Sequence, residues 1–258
     1  MRRLALASLL SCACAVPASG PDASVDASVD AGSDAGTRTR RVLYVTQSNG
    51  FRHDSLPDSV RALFAVGADA GIQVVHSQDA TASFAALDSY DAVAFYTSGN
   101  LGLSDAQKAA LLDFVQQGGG FFGFHSATDT YYDWPEYGAL IGAWFDGHPW
   151  HEEVSVRIDL PAHPAMAGLP SPFVVTDEIY QFKSWRPDNV VLMSLDIASV
   201  DLNAPGTKQN AWGFPLAWTR THGKGRVFYC ALGHRTELWD DARFRLLLSN
   251  VTAWVIGK

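Results

Sequence analysis

Loops that contain histidine are the chemically distinctive feature of this sequence. His53 lies within GFRHD, His125 within GFHSATD and His234 within LGHR, while His148 and His151 share the segment DGHPWHE. Imidazole can act as a general base, a metal ligand or a hydrogen-bonded loop residue, so any single loop is ambiguous. Four such loops in one chain favour a site that binds a metal or transfers protons.

The spacing of His148 and His151 leaves their geometry open. In a turn the two side chains would share one side, whereas in a straight strand, three residues apart, they would face opposite sides. The remaining histidines are His76 at a strand end, His163 between prolines and His222 at a hairpin tip. We expect structural or solvent-facing roles for these three.

Side-chain nucleophiles receive little support. Cys230, within VFYCAL, is typical of a small buried hydrophobic residue, and Ser126 lies outside any Gly-x-Ser-x-Gly motif. Cys12 and Cys14 lie near the N-terminus, so a cysteine-rich zinc module is excluded and any metal must be held by histidine and carboxylate. The glycine motifs of dinucleotide and nucleoside-triphosphate binding do not occur in the sequence.

Alternating strands and helices must position the histidine loops. Apolar runs predict strands at 41–47, 72–76, 92–96 and 121–124. Ser55 is expected to cap the first intervening helix, which ends near Gly71, and Ser104 with Gln107 forms a capping box for a helix that ends at 118–120. This alternation predicts an α/β fold with a mainly parallel sheet and helices on both faces.

The carboxyl ends of parallel strands meet at one edge of a sheet, which is where such folds bind ligands. His53 and His125 each follow a predicted strand in the first half of the chain, and His234 follows a late one. We therefore expect these three imidazoles to converge.

The second half of the sequence has a β-rich texture from Glu152 to Val227. It includes the hairpin PLAWTR and RVFYCAL, joined by residues 222–225, and is followed by a helix over Asp240–Ile256. We expect one domain over residues 41–258, with this β-rich part as an extension.

Composition limits the partners of the protein. The chain has 258 residues, 47% of them hydrophobic, with 19 Lys and Arg against 27 Asp and Glu. The hydrophobic content excludes a largely disordered chain, and the acidic balance argues against nucleic acid and anionic lipid headgroups as partners.

Residues 1–40 have the pattern of an export signal and tether. Arg2 and Arg3 precede an apolar run, and LLSC resembles a bacterial lipobox that would leave Cys12 lipidated, although cleavage near Ala15 or Ala18 by an ordinary signal peptidase is the alternative. The repeat PDASVDASVDAGSDAG at 21–36 cannot bury enough apolar surface to fold. We expect an exported protein that contacts the membrane only through a lipid anchor at Cys12.

Several segments together resemble the ThuA-like (trehalose-utilisation) family. They are FRHDS at 51–55, GGGFFGFHSATDT at 118–130, WPEYGALIGAWFDGHPWHEEVSVRI at 134–158, HPAMAGLP at 163–170, DEIYQF at 177–182, PLAW at 215–218 and GKGRVFYCALGHRTELW at 223–239. The resemblance implies a flavodoxin-like fold related to class I glutamine amidotransferases, and a link to trehalose and other sugars, often as keto-sugars.

The resemblance also bears on mechanism. Related amidotransferases carry a cysteine at a strand-end elbow and a His-x-Glu pair after a late strand. Here the elbow position corresponds to His125, and His234 followed by Glu237 occupies the late position. The cysteine thioester route is thereby excluded, and histidines at these positions suit metal binding or proton transfer.

From these observations we assign candidate roles. The candidate catalytic residues are His125, His234, Asp129 and Glu152. The candidate substrate-binding residues are Arg52, Asp54, Trp150, Asp177, Glu178, Tyr180 and Arg235. The candidate ligands of a divalent metal, with zinc the first choice, are His53, His125, His148 and His151.

Two classes of function follow. The first is an exported enzyme that acts on a glycoside or keto-sugar, and the second is a lipid-anchored carbohydrate-binding module without turnover. Within the first class, a metal site competes with a metal-free pocket in which one histidine is the base and Arg235 or Lys224 stabilises an enolate.

Overall fold

The structure, a computed structural model, describes residues 38–257 and is built from eleven strands and five α-helices over that range. The strands are Arg40–Val45 (β1), Ile72–Ser77 (β2), Ala92–Phe95 (β3), Gly120–Phe124 (β4), Trp144–Phe145 (β5), Trp150–Ile158 (β6), Phe173–Ile179 (β7), Phe182–Lys183 (β8), Val190–Leu195 (β9), Pro215–His222 (β10) and Gly225–Cys230 (β11). The helices are Leu56–Ala70 (α1), Ala80–Ser83 (α2), Asp105–Gln116 (α3), Pro135–Ile141 (α4) and Ala242–Val255 (α5).

Nine of these strands form one sheet in the order β2-β1-β3-β4-β11-β10-β9-β6-β7. The first five in this order run parallel, and every later pairing is antiparallel. The fold is therefore the α/β type predicted from the alternation, with the flavodoxin-like arrangement that the family resemblance implies, and the antiparallel strands are its β-rich extension. The predicted hairpin is the β10–β11 pair, in which His222 lies opposite Gly225.

The parallel strands are apolar because both of their faces are covered. β3 and β4 are buried along their whole length, and β1 is buried from Val42 to Val45. Helices α1 and α5 pack against each other over one face, whereas α3 and α4 cover the other. The helix expected over Asp240–Ile256 is α5, and its residues Phe244, Leu247 and Val251 are buried against the core.

The helix starts show which local signals are decisive. The capping box of α3 is formed as predicted. The Ser104 hydroxyl oxygen accepts from the Gln107 backbone N–H, and the Gln107 side-chain oxygen accepts from the Ser104 backbone N–H. Ser55 stands at the start of α1 but does not cap it through its side chain. Its hydroxyl instead donates to the Gly233 carbonyl oxygen at 2.8 Å and lies 2.7 Å from the Tyr96 hydroxyl.

The sheet curls strongly in its antiparallel half. β4 and β7 are five steps apart in the strand order, which at about 4.8 Å per step would separate them by roughly 24 Å in a flat sheet. Nevertheless Glu178 of β7 lies 3.3 Å from His125, the residue directly after β4. The edge strand β7 is thereby brought over the carboxyl ends of the parallel strands.

Residues 1–37 lie outside the described residues. The export signal, the lipidated Cys12 and the tether expected there therefore stay predictions. The described residues from Arg38 onward belong to one compact unit. Among residues 38–257 no helix combines the length and apolar character needed to cross a membrane.

Candidate metal centre

Four side chains meet at the carboxyl edge of the parallel strands. His53, His125, Glu178 and His234 each offer one nitrogen or oxygen atom, and these atoms all lie within 4.8 Å of one another. We call this group the histidine–glutamate cluster. His53, His125 and Glu178 are buried, and His234 is partly buried. The three strand-end histidines therefore converge as their positions after strands predict.

The backbone holds His125 in an unusual conformation at the end of β4. Its φ of 44° is in the left-handed region, which costs a non-glycine residue on the order of 1–3 kcal/mol. The imidazole Nδ1 lies 2.7 Å from the Ala231 carbonyl oxygen, and the Tyr229 hydroxyl donates to the His125 carbonyl oxygen at 2.6 Å. These contacts with β11 and the residue after it fix the ring.

The loop that carries His234 is held from both sides. The buried Asp177 carboxylate accepts the backbone N–H groups of Gly233 at 2.7 Å and Arg235 at 2.9 Å. On the other side, the Gly233 carbonyl oxygen accepts from Ser55 and from the Trp239 indole. Asp177 therefore positions His234 through the backbone rather than by touching the cluster.

The register of β6 and β7 decides which acidic residue enters the cluster. His151 lies opposite Glu178, and Glu152 lies opposite Asp177. Paired residues share a face of the sheet and neighbours alternate, so Glu178 and His151 are on one face and Glu152 is on the other. Glu152 is exposed and is not brought into the cluster.

The contacts of Glu178 divide between its two carboxylate oxygens. Oε2 lies 3.3 Å from Nε2 of His125 and 3.3 Å from Nδ1 of His234, whereas Oε1 lies 3.4 Å from Nδ1 of His148. The His148 side chain is exposed and forms the outer side of the site. His151 is also exposed, and its ring lies 4.7 Å from the His234 ring, between centroids.

The protonation of His125 follows from its neighbours. The Ala231 carbonyl can only accept, so Nδ1 of His125 carries a proton, and in the neutral ring Nε2 points a lone pair towards Glu178. Two electron-rich atoms at this distance require a positive charge, either a proton on Nε2 or a bound cation. Nε2 of His125, Nδ1 of His53 and Nδ1 of His234 are all buried without a hydrogen-bond partner.

Burial and mutual interaction shift the pKa values of the cluster. Burial, together with the neighbouring His125 and His234, lowers the pKa of His53 to about 3. Burial alone would raise the pKa of Glu178, but its contacts with His125 and His234 outweigh burial and hold that pKa well below its ordinary value. The adjacent Glu178 carboxylate, 3.3 Å from Nδ1 of His234, raises the pKa of His234. His53 is therefore neutral and Glu178 ionised, which are the forms that ligate metals.

The donor set and its dimensions fit a small divalent cation. Donors bound to one tetrahedral zinc at about 2.0–2.1 Å lie roughly 3.4 Å apart, close to the 3.3 Å from Glu178 Oε2 to both His125 and His234. The 4.8 Å limit within the cluster requires only small movements for all four donors to reach one ion. Three imidazoles and one carboxylate suit zinc and neighbouring transition metals.

A second polar group lies beside the cluster. Asp129, at the end of a 3₁₀ turn over His125–Asp129, accepts a hydrogen bond from the Tyr132 hydroxyl at 2.7 Å. Burial raises the pKa of Asp129, and the neighbouring His125 opposes that shift. Tyr180 packs its ring 4.2 Å from the His125 ring, and burial raises its pKa well above the ordinary value.

Other candidate residues lie away from the cluster. Arg52 and Asp54 flank His53 but are exposed, and Arg52 lines a separate groove with His76. Trp150 is buried, donates its indole N–H to the Asp201 carbonyl and packs edge-to-face on Phe214, so it is a core residue.

Neither cation proposed for enolate stabilisation lies within the cluster. Arg235 is exposed, and its contact with Asp177 is through the backbone. Lys224 precedes β11 whereas His234 follows it, so the six-residue strand, roughly 17 Å long, separates the lysine from the site. The structure therefore excludes Lys224 from the metal-free pocket.

Sequence reasoning placed Glu178 among the candidate substrate-binding residues, whereas the structure places it in the histidine–glutamate cluster. The available signal was the β7 pattern, in which Asp177 and Glu178 must face opposite sides. Which of the two faces the histidines depends on the curl of the sheet.

Comparison with known proteins identifies the family. A family model described as ThuA, trehalose utilisation, matches residues 41–255, which is most of the chain. The chain belongs to the ThuA family. No protein among those with curated descriptions matches it.

Solved structures agree with the ThuA assignment. A ThuA-like protein from Bacteroides uniformis is 26% identical, with a TM-score of 0.72 over 86% of this chain and 92% of that one. A ThuA-like protein from Parabacteroides merdae is 20% identical, with a TM-score of 0.69 over 85% and 91% of the two chains. A β-galactosidase from Rahnella, 17% identical, shares the fold alone, with a TM-score of 0.53 over 83% of this chain and 31% of that one.

Proposed function

We propose that this ThuA protein is an exported enzyme that binds a divalent metal, with zinc the first choice, at the histidine–glutamate cluster and acts on a glycoside or keto-sugar. One observation carries the proposal: three imidazoles, each with a buried nitrogen that has no hydrogen-bond partner, lie around one ionised carboxylate. A bound cation gives every one of these donors a partner. The metal-free alternative does not explain why Nδ1 of His53 is buried without a hydrogen-bond partner.

The residues divide the chemical work. A divalent metal at the cluster would polarise a sugar carbonyl or hydroxyl, or activate water. Asp129, whose pKa burial raises, is placed to exchange a proton with the sugar, and the Tyr132 hydroxyl orients that carboxyl. His148, exposed against Oε1 of Glu178, borders the entrance through which a substrate reaches the cluster.

The sugar and the location rest on other support. The ThuA family is described by trehalose utilisation, and the rings of Tyr132 and Phe145 beside the site suit the apolar faces of a sugar. Export rests on the sequence of residues 1–37. A Cys12→Ala protein should lose labelled fatty acid and separate from membranes; complete retention on membranes would contradict lipid anchoring.

Metal analysis tests the central claim. Protein purified without an affinity tag should contain about one equivalent of divalent metal, and Glu178→Gln and His53→Ala should contain little. His163→Ala is the matched control, because His163 contacts Trp254 and the Ala165 N–H, away from the cluster. Equal metal content in Glu178→Gln and wild type would contradict the assignment of the site.

Activity distinguishes an enzyme from a binding module. We expect turnover of a 3-keto-glycoside or a glycoside that disappears after chelation and returns with zinc. Full activity after exhaustive chelation would support the metal-free pocket. Binding without turnover, measured by calorimetry with the same sugars, would instead support a carbohydrate-binding module.

A further inference from the structure

Tyr180 is a buried residue beside the histidine–glutamate cluster. Its ring is packed between two other rings, but its hydroxyl forms no hydrogen bond with the described residues. It directly follows β7, and only 3% of the residue is exposed. Its ring lies between two others, with centroids 4.2 Å from His125 and 4.3 Å from Phe145. This packing fixes the direction of the hydroxyl.

The hydroxyl of Tyr180 has no hydrogen-bond partner among the described residues. The oxygen is nevertheless absent from the fully enclosed unpaired atoms, so the small exposed part of the residue includes the hydroxyl. Other buried tyrosines near the site form hydrogen bonds through their hydroxyls. Tyr96 contacts the Ser55 hydroxyl, Tyr137 donates to the Ala127 carbonyl oxygen and Tyr229 donates to the His125 carbonyl oxygen. The Tyr180 hydroxyl is therefore held by the packing of its ring but is free to donate to a molecule that binds beside it.

Glu178 and Asp129, the carboxylates that interact electrostatically with Tyr180, already have other partners. Oε2 of Glu178 faces His125 and His234, and Oε1 faces His148. Asp129 accepts from Tyr132. A phenol is neutral at working pH and can donate its proton to an oxygen acceptor. A molecule that binds at the cluster would offer this hydroxyl an oxygen acceptor.

We propose that Tyr180 is a catalytic residue whose hydroxyl donates a hydrogen bond to the substrate oxygen that gains negative charge beside the metal. The substrate class is a sugar derivative that passes through an alkoxide or enolate. A donor fixed by packing before the charge develops stabilises that charge without reorganisation. This inference rests on the proposed function, because it requires a metal at the histidine–glutamate cluster.

A cobalt-substituted protein tests the contact without knowledge of the sugar. Acetohydroxamate, an anionic oxygen ligand, is titrated into cobalt-loaded wild type and Tyr180→Phe while the visible absorption of cobalt is recorded. We expect the free spectra to be alike, since the ring is retained. The variant should bind acetohydroxamate roughly 10- to 100-fold more weakly, as expected for a hydrogen bond to a charged group.

Tyr137→Phe is the matched control, because it also removes one buried hydroxyl but one that donates to Ala127. It should bind acetohydroxamate like wild type. Tyr180→Phe affinity within twofold of wild type would overturn the role of Tyr180 and leave the metal site standing. Loss of the cobalt spectrum in Tyr180→Phe would also overturn it, by showing that the hydroxyl supports the ligands. A wild type that takes up no cobalt would overturn both proposals.

Discussion

Asp177 and Glu178 are adjacent carboxylates with different tasks. Glu178 presents its oxygens to three histidines, whereas Asp177 accepts two backbone N–H groups of the loop around His234. Both are buried, and a buried carboxylate must be compensated. The alternation of the strand allows one dipeptide to supply a candidate ligand and the support for another.

Replacement of Asp177 by Asn should weaken metal binding without removing a ligand. An amide can accept one of the two backbone N–H groups through its oxygen, but its NH₂ group opposes the other, so His234 loses its fixed position. We expect zinc affinity to fall about 10- to 100-fold, measured by competition with a chromophoric chelator. Glu152→Gln, on the opposing strand, is the control. Equal affinity in Asp177→Asn and wild type would contradict this positioning role.

Cys230 should be inert in the folded protein. Burial raises the pKa of its thiol to about 12, so at pH 8 only about one molecule in 10⁴ carries the thiolate that reacts. Iodoacetamide should leave Cys230 unmodified in native protein and label it in urea, as read by peptide mass spectrometry. Since the thiol of the unfolded chain ionises near its ordinary pKa of 9.0, this group should reduce stability as pH rises above 9. Rapid labelling at pH 8 without denaturant would contradict the burial.

At the scale of elements, the loop after β11 depends on Gly233. Its φ of 140° is a conformation that L side chains rarely adopt, and a Cβ there would meet Trp239 at 3.0 Å and His125 at 3.4 Å. Gly233→Ala should therefore lower the free energy of unfolding by about 1–3 kcal/mol or more, and it should also reduce the metal content.

Gly213→Ala separates backbone strain from crowding. Gly213 also has a positive φ, 68°, but a Cβ there would meet nothing within 4 Å. Urea unfolding of the two variants should show the larger loss for Gly233→Ala, and only that variant should lose metal. Similar losses in both variants, with metal retained, would show that the conformation of Gly233 does not position His234.

Local patterns predicted most of the parallel half of the sheet. The strands before His53 and His125 and the capping box at Ser104 depend on neighbouring residues, so sequence alone was sufficient for them. Ser55 was predicted wrongly as a cap, because its hydroxyl bonds to Gly233, which is 178 residues away. The sequence alone could not decide whether Glu178 or Glu152 enters the cluster. Strand register decides which face of the sheet each side chain is on, and the curl of the sheet decides which face meets the histidines.

For the whole molecule, the proposed tether should be dispensable for folding. The compact unit begins at Arg38, whose guanidinium pairs with Asp91 at 2.7 Å. A chain that starts at Arg38 should match the full chain in thermal midpoint and in zinc content, because every residue of the cluster is retained. A large drop in the midpoint would show that residues 1–37 contribute to the fold.

The curl of the sheet gives the proposed metal a mechanical role. Three candidate ligands follow strands of the parallel half, while Glu178 belongs to the edge strand of the antiparallel half. One ion at the cluster would therefore act as a clasp between the two halves. Hydrogen–deuterium exchange should show the clasp directly: zinc should slow exchange in β6 and β7 more than in β2, which lies at the far edge. Without the ion, β6 and β7 should be the first part of the sheet to open, and the site would come apart before the fold does.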